Sequence, residues 1–500
     1  MSIHTFSARR IDRRRDSQAL AIRGILICAI TLAIVPFSAM AQEPEGFRDA
    51  LGLLDAWSAN RIASRGQPGL SIGVVLGDHL VWARGYGFAD LEHKTPATPK
   101  TLYRIGSITK TFTAVSILQL RDAGKLQLDD PLQRHLSQVS IRSYSNSASA
   151  VTLRELLTHT SGLQREVPGT IVTDAIWPSD ADLQGMLDQP FDPDMHWKYS
   201  NLGFALLGKI VTAESGEPWN KYVQDHILLP LGMLATRPIP RSDEPGLAIG
   251  YLRTAPGSNF VPAPFYPGGP NDPAFAIASN VEDLAKYMAF HLEESSNGDS
   301  PVLSGRSLRE MHRVQWLLPD WQNAWGFGMR VRRVDGMVRV GHNGIVPGHT
   351  ANIEFIPAIK LGVIVCTNSN EGDPTAYVDY ALQLLSPIVA RSVAGPPPKP
   401  DQQWKRYEGI YRSKDYRTWV ATILDGQLSL VQPDAANPAT ARTVLEATSD
   451  PTAFTMRVGI GNAQPGDGEK LTFDISADGT VTGFHTENWR FLRVGGLEAP

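Results

Sequence analysis

Four strand-like segments follow one another between Gly326 and Asn368: GFGMRVRRV, MVRVGHNG, HTANIEFIP and KLGVIVCTN. Each is rich in β-branched residues and bounded by Gly, Asp, Asn or Pro, the pattern of consecutive strands. A far earlier stretch, LSIGVVLGDHLVWARGYG, adds two more β-rich runs around Gly77-Asp78, a hairpin signal. Helical patterns fill the interval. One starts at Ser107 and ends near Gly124, which suits the position just past a helix. Two others open with capping-box spacing, Thr152 with Glu155 and Ser279 with Glu282. A helical run covers Leu202 to Ser215, and a closing helix runs from about Pro374 to Arg391. Strands at both ends with helices between predict an α/β chain of the α+β type: one antiparallel sheet built from distant segments and flanked by helices.

AGPPPKPDQQ, Ala394 to Gln403, has four prolines and a glycine in ten residues and reads as a linker. Beyond it come short alternating segments such as TWVATIL, QLSLVQP, AFTMRV, KLTFDI and VTGFHTE, separated by turn residues. That spacing predicts a small β-barrel or sandwich. The expected division is therefore a main domain over 45–393, a linker over 394–403 and a β-module over 404–500.

The beginning of the chain belongs to neither domain. RRIDRRR precedes the apolar run GILICAITLAIV (Gly24 to Val35) and then Ala39-Met40-Ala41. This is the layout of a secretory signal peptide over 1–41, cut before Gln42, and it predicts a periplasmic or secreted protein. Twelve apolar residues are short for a bilayer span, so no stable membrane span is expected after cleavage. Cys28 does not make a lipobox, because bulky Ile27 precedes it within the apolar run. The leader holds six Arg against two Asp, so its removal takes the net charge from −4 to −8. With no basic patch among aromatics, nothing favours nucleic-acid binding and none is expected. One cysteine then remains, Cys366 in LGVIVCTNS; it rules out an internal disulfide and reads as a small core residue.

Several chemistries lack their residues. There is no C-x-x-C or H-E-x-x-H for zinc, and no G-x-S-x-G elbow. GFALLGKI mimics a phosphate loop, but Ile210 replaces the magnesium-binding hydroxyl and no strand precedes it. What remains is LYRIGSITKTFTAVSILQL, where Ser107 and Lys110 stand three residues apart at a helix head. A serine hydroxyl needs a neighbour to take its proton. Residues i and i+3 share a helix face, and a lysine serves as base only where burial or nearby cations keep it neutral. Taken alone, the pair is equally compatible with a capping serine and a solvated lysine.

RIGSITKTFTA, LLTHTSGL (Leu156 to Leu163), WKYSNLGFALLG (Trp197 to Gly208) and GHNG (Gly341 to Gly344) together resemble the penicillin-recognising serine hydrolases. That family includes class C β-lactamases, D-alanyl-D-alanine carboxypeptidases, D-aminopeptidases and β-lactamase-fold esterases. The resemblance covers roughly Phe47 to Val393 and implies the β-lactamase/transpeptidase-like fold. It implies Ser107 as acylated nucleophile, Lys110 as its activator and Tyr199 as the tyrosine that passes protons to the leaving group. Asn201 would bind the substrate amide. His342, Asn343 and Gly344 stand where the family has K-T-G, and the oxyanion hole would use the backbone N–H of Ser107 and of Ile345. A second YSN at Tyr144 to Asn146 precedes LLTHTSGL and is a decoy. His159 reads as a buried structural histidine. His342 replaces a permanent cation with a partly charged group, which predicts weaker binding of a substrate carboxylate as pH rises, and histidine there also occurs in the family's D-peptidases. YEGIY, Tyr407 to Tyr411, resembles the opening of the lipocalin-like modules appended to some of these enzymes.

The resulting expectation is a serine hydrolase working through an acyl-enzyme on peptides with D-residues or cell-wall fragments, without metal or organic cofactor. β-Lactamase, short-chain carboxylesterase and a penicillin-binding sensor that acylates without turnover are the alternatives.

Overall fold

The computed structural model describes residues 43–144, 150–168, 179–183, 186–255, 257–293, 300–394, 401–424, 426–433, 442–458 and 468–496. The expected signal peptide, 1–41, and residues 395–400 of the expected linker lie outside the described residues.

The central sheet has nine strands. In chain order they are β1 (Gly69–Leu76), β2 (His79–Asp90), β3 (Thr95–Pro96), β4 (Trp316–Leu317), β5 (Asn323–Trp325), β6 (Arg330–Val334), β7 (Met337–Val346), β8 (His349–Ile356) and β9 (Leu361–Thr367). Their spatial order is β4-β5-β6-β7-β8-β9-β1-β2-β3, antiparallel throughout. The early hairpin thus joins the late meander through β1 and β9, with Leu70 opposite Thr367.

Alternation along the strands decides which helices cover which face. Leu70, Ile72 and Val74 of β1 and Leu361, Val363 and Val365 of β9 pack with Phe47, Leu54, Tyr377 and Leu385. Those partners lie on α1 (Phe47–Arg65) and on the closing helix Pro374–Ala394. Ile364 and Cys366 of β9 point the other way, into a larger cluster with Phe112, Leu118, Tyr287 and Met288. That cluster binds α2 (Thr109–Asp122), α3 (Leu153–Thr158), α4 (Asn201–Ser215), α5 (Asp272–Phe275) and α6 (Val281–Leu292) against the second face. Cys366 is fully buried, and burial pushes its thiol up to about 12, as a core cysteine should behave.

Both predicted caps can be checked against geometry. Thr152 and Glu155 make the reciprocal capping box, each side chain bonding the other's backbone N–H. At the second site the cap is one residue later than expected. Asn280 Oδ1 accepts from the Asp283 backbone N–H at 2.8 Å, while Ser279 Oγ bonds Thr236 Oγ1 at 2.8 Å. Asn competes well with Ser for this position, so the composition signal was right and its register was not.

Eight strands between Gly409 and Gly495 close into an antiparallel barrel. Its interior is aromatic: Tyr407, Tyr411, Phe454, Phe473, Phe484 and Phe491 interlock, with Tyr407 stacked on Phe473 at 4.2 Å. No helix among the described residues is long and apolar enough to cross a membrane.

Candidate active site

Ser107 lies in a 3-10 turn, Gly106–Ile108, that leads directly into α2. The turn is pressed against β7. Pairing of β6 with β7 stops at Gly341, so from His342 to Val346 one edge of β7 is left to the turn rather than to another strand. Two glycines make this approach possible. Gly106 has φ of 53°, and a Cβ there would stand 2.6 Å from the Ile345 backbone nitrogen. A Cβ on Gly344 would collide with the Ile105 carbonyl oxygen and stand 3.1 Å from the Ser107 nitrogen. The amides of Ser107 and Ile345 are thereby held on facing segments.

Lys110, one turn into α2, is fully buried. Its Nζ lies 3.2 Å from Ser107 Oγ, 2.7 Å from Asn201 Oδ1 and 2.9 Å from the Ala274 carbonyl oxygen. Burial holds its pKa well below the lysine range; Glu166 opposes that shift and Arg165 adds to it. A neutral amine has two N–H groups and one lone pair. Asn201 Oδ1 and the Ala274 carbonyl can only accept, so they occupy the two N–H groups, and the lone pair faces the Ser107 hydroxyl.

This depends on which way the Asn201 amide points, and a carboxylate fixes that. Asn201 Nδ2 donates to both Glu166 oxygens, at 2.8 and 3.0 Å, which leaves Oδ1 turned to Lys110. The backbone around Glu166 also seats the head of α4. The Arg165 carbonyl accepts from the amides of Asn201 and Leu202, and Ser200 Oγ both caps Gly203 N–H and donates to the Gln164 carbonyl. Arg165 pairs with Glu166 at 3.1 Å and lies 5.3 Å above the Tyr199 ring.

Tyr199 completes the group. Its ring lies 4.8 Å from Lys110 Nζ, and the nearby Ser107 hydroxyl lowers its pKa by less than burial raises it. Burial raises its pKa above the ordinary tyrosine value, so the phenol is protonated. His159 is fully buried beneath it, with ring centroids 4.3 Å apart, and its Nδ1 accepts from the Ser200 backbone N–H at 3.1 Å. Burial holds His159 well below its usual pKa, as a neutral support for the tyrosine.

His342 departs from expectation. It is 1% exposed, and its Nδ1 meets the Asn343 carbonyl at 2.5 Å. Burial is the main cause that pushes its imidazole down to about 3. The partial positive charge expected near neutrality is therefore absent, because the ring is buried against Tyr199 and Trp325. Asn343 and Ile345, on the opposite side of β7, are the exposed residues of this stretch.

Ser107, Lys110, Tyr199 and Asn201 thus converge, with Gly344 and Ile345 on the facing strand and His342 beneath. Tyr144, the decoy, is exposed under Arg142, and the other end of its motif lies outside the described residues. Sequence reasoning missed Glu166 and Arg165, although QRE (Gln164 to Glu166) directly follows the quoted LLTHTSGL segment. Adjacent opposite charges usually read as a solvated pair. It also missed Trp325, whose ring lies 5.4 Å from that of His342 and 5.1 Å from that of His159. Among the described residues, no group of three or more His, Cys, Asp or Glu side chains converges as a metal site would require.

The profile of the Beta-lactamase family matches residues 54–388, from α1 to the closing helix. The chain belongs to the Beta-lactamase family. A beta-lactamase-like protein 2 of Dictyostelium discoideum is 30% identical over 327 residues, which are 63% of this chain and 58% of that protein. The chain thus spans less than two thirds of that relative. Penicillin-binding protein 4 of Amycolatopsis lactamdurans is 27% identical over 356 residues, 67% of this chain and 90% of that protein. In three dimensions, an octameric penicillin-binding protein homologue from Pyrococcus abyssi superposes with a TM-score of 0.59 at 26% identity, covering 89% of this chain and 100% of its own.

Proposed function

We propose that this chain is a serine hydrolase that works through an acyl-enzyme on Ser107. The observation that carries the reading is the fully buried Lys110 amine, 3.2 Å from Ser107 Oγ and held on its other sides by two acceptors, Asn201 Oδ1 and the Ala274 carbonyl; in its neutral form its lone pair meets the Ser107 hydroxyl. Ser107 Oγ attacks a carbonyl carbon and its proton passes to Lys110. The amides of Ser107 and Ile345 stabilise the oxyanion, a contribution worth roughly 10²–10³ in rate per donor in comparable sites. Tyr199 is protonated, so it acts as a relay: it gives its proton to the leaving group and takes one back from Lys110. Water then releases the acyl group by the reverse path. The leader pattern supports a periplasmic or secreted location, which amino-terminal sequencing of the mature protein tests, with Gln42 as the expected first residue.

For the substrate, peptides with D-residues were the sequence expectation, and both these and β-lactams carry a carboxylate. A neutral, buried His342 gives such a carboxylate no cation at the triad position. This favours uncharged esters and amides, with D-peptides as the second reading. Time-resolved intact-protein mass spectrometry tests both, using p-nitrophenyl butyrate, a D-alanyl anilide and a chromogenic cephalosporin. A transient adduct on wild type, missing in Ser107→Ala, is the expected result. A persistent adduct without product indicates the penicillin-binding sensor instead, and no adduct with any probe overturns the hydrolase reading.

A further inference from the structure

Beside the ring stack that supports Tyr199, a cavity of about 280 Å³ opens to solvent. Met195, His196, Trp197, Trp316, Leu317 and Trp321 are among the residues that line it, and no Asp, Glu, Lys or Arg does. Trp197 belongs to both places. It stacks on Trp325 with centroids 5.2 Å apart and planes at 24°, and its ring lies 6.2 Å from that of Tyr199. Trp325 in turn stands directly opposite Trp316 in the β4–β5 pair, so the two indoles share one face. Trp197, a wall of the cavity, is thus the aromatic ring through which the cavity adjoins Tyr199.

Its rim is unusually apolar for a surface: Trp321 is 80% exposed, Met195 64% and Leu317 42%. Trp321 is also held at φ of 57°, a left-handed conformation that bulky residues avoid. The hairpin loop fixes it there. Trp321 N–H donates to the Leu318 carbonyl at 3.0 Å, and Asp320 Oδ1 accepts from the amides of Gln322 and Asn323 at 2.9 and 3.0 Å. An indole displayed to water by a strained backbone points to a function for that ring. Trp197 Nε1 is buried and has no hydrogen-bond partner among the described residues.

We propose that this cavity is a substrate subsite that takes an apolar alkyl or aromatic group attached to the ester or amide attacked by Ser107. It rests on the hydrolase reading above and deepens it: the preferred substrates are lipophilic and uncharged. Each methylene that enters such a site raises kcat/KM by about fourfold.

The test is a p-nitrophenyl ester series from acetate to hexanoate on wild type, Trp321→Ala and, as a control, Tyr416→Ala, another exposed ring that does not line the cavity. The hexanoate-to-acetate ratio of kcat/KM should be large in wild type and in the control, and fall at least tenfold in Trp321→Ala. A wild-type ratio near one, or a ratio that Trp321→Ala leaves intact, overturns the subsite even if hydrolysis is brisk. A binding readout separates this from failure of the chemistry. Calorimetry of N-butyl- and N-hexylacetamide on Ser107→Ala should give tighter hexyl binding, and the added Trp321→Ala should abolish the difference. That pattern supports the subsite even where no ester is turned over, and equal affinities overturn it.

Discussion

The carboxy-terminal barrel and the cleft floor both bury tyrosines, yet they treat the hydroxyls differently. In the barrel, Tyr407 donates to the Pro451 carbonyl at 2.8 Å and Tyr411 to the Tyr407 carbonyl at 2.6 Å. Each hydroxyl ends on a fixed acceptor, and the surrounding rings fill space. In the cleft, the Tyr199 ring lies 4.8 Å from Lys110 Nζ, which also bonds Ser107 Oγ, above two histidines whose Nε2 atoms are buried with no partner among the described residues. Saturated polar groups stabilise a core; groups left with exchangeable or missing partners raise the free energy of the folded chain but can move protons. One region is arranged for stability, the other for reaction.

That contrast can be broken or sharpened by substitution. Ser107→Ala should abolish covalent labelling and lower kcat/KM by about 10⁴-fold or more, with thermal stability little changed; retained turnover would remove the cleft from its role. Phe473→Ala, inside the barrel, should cost about 3–5 kcal/mol in denaturant unfolding of that module. The acylation rate constant of folded protein should stay within twofold, and a parallel loss of rate would mean that the two regions are coupled. Gly344→Ala should lower kcat by about 10²–10³-fold, because the new methyl pushes β7 from the Ser107 turn and misplaces one oxyanion donor. A full-speed Gly344→Ala enzyme would refute that contact.

The smallest effect concerns pH. Acylation needs neutral Lys110, so kcat/KM should rise with pH through the lowered Lys110 pKa. Glu166 opposes that lowering and Arg165 adds to it. Glu166→Gln should therefore move the acid limb to lower pH and Arg165→Ala to higher pH, each by less than about one unit at partly solvated sites. Shifts in the same direction would show that conformation, not charge, dominates.

Much of this was legible in the chain. Periodicity gave the meander from Gly326 to Asn368, and β-branched runs gave the early hairpin. Local spacing put Ser107 and Lys110 on one helical turn, but that alone also fits a capping serine and a solvated lysine; the resemblance of four motifs implied their roles. Arg442–Ala447 did not read as a strand: RTVLEA mixes helix formers with β formers, and its conformation comes from pairing on both sides within the barrel. The neutral state of His342 was also illegible, because it depends on how far β7 is sunk beneath its neighbours. Glu166 was missed for a similar reason. Its importance lies in one amide, Asn201, that folding brings to it from 35 positions away.

The pairing of β1 with β9 bears on how the chain is made. Leu70 finds Thr367 only after the intervening 296 residues exist, which at roughly 5–20 residues per second takes about 15–60 s of synthesis. For that time the amino-terminal hairpin keeps a long apolar strand edge without its partner, the kind of edge that recruits other chains. Folding of the sheet is thus governed by the last third of the catalytic region. Truncations that end before Thr367 should emerge as aggregating chains rather than as smaller enzymes.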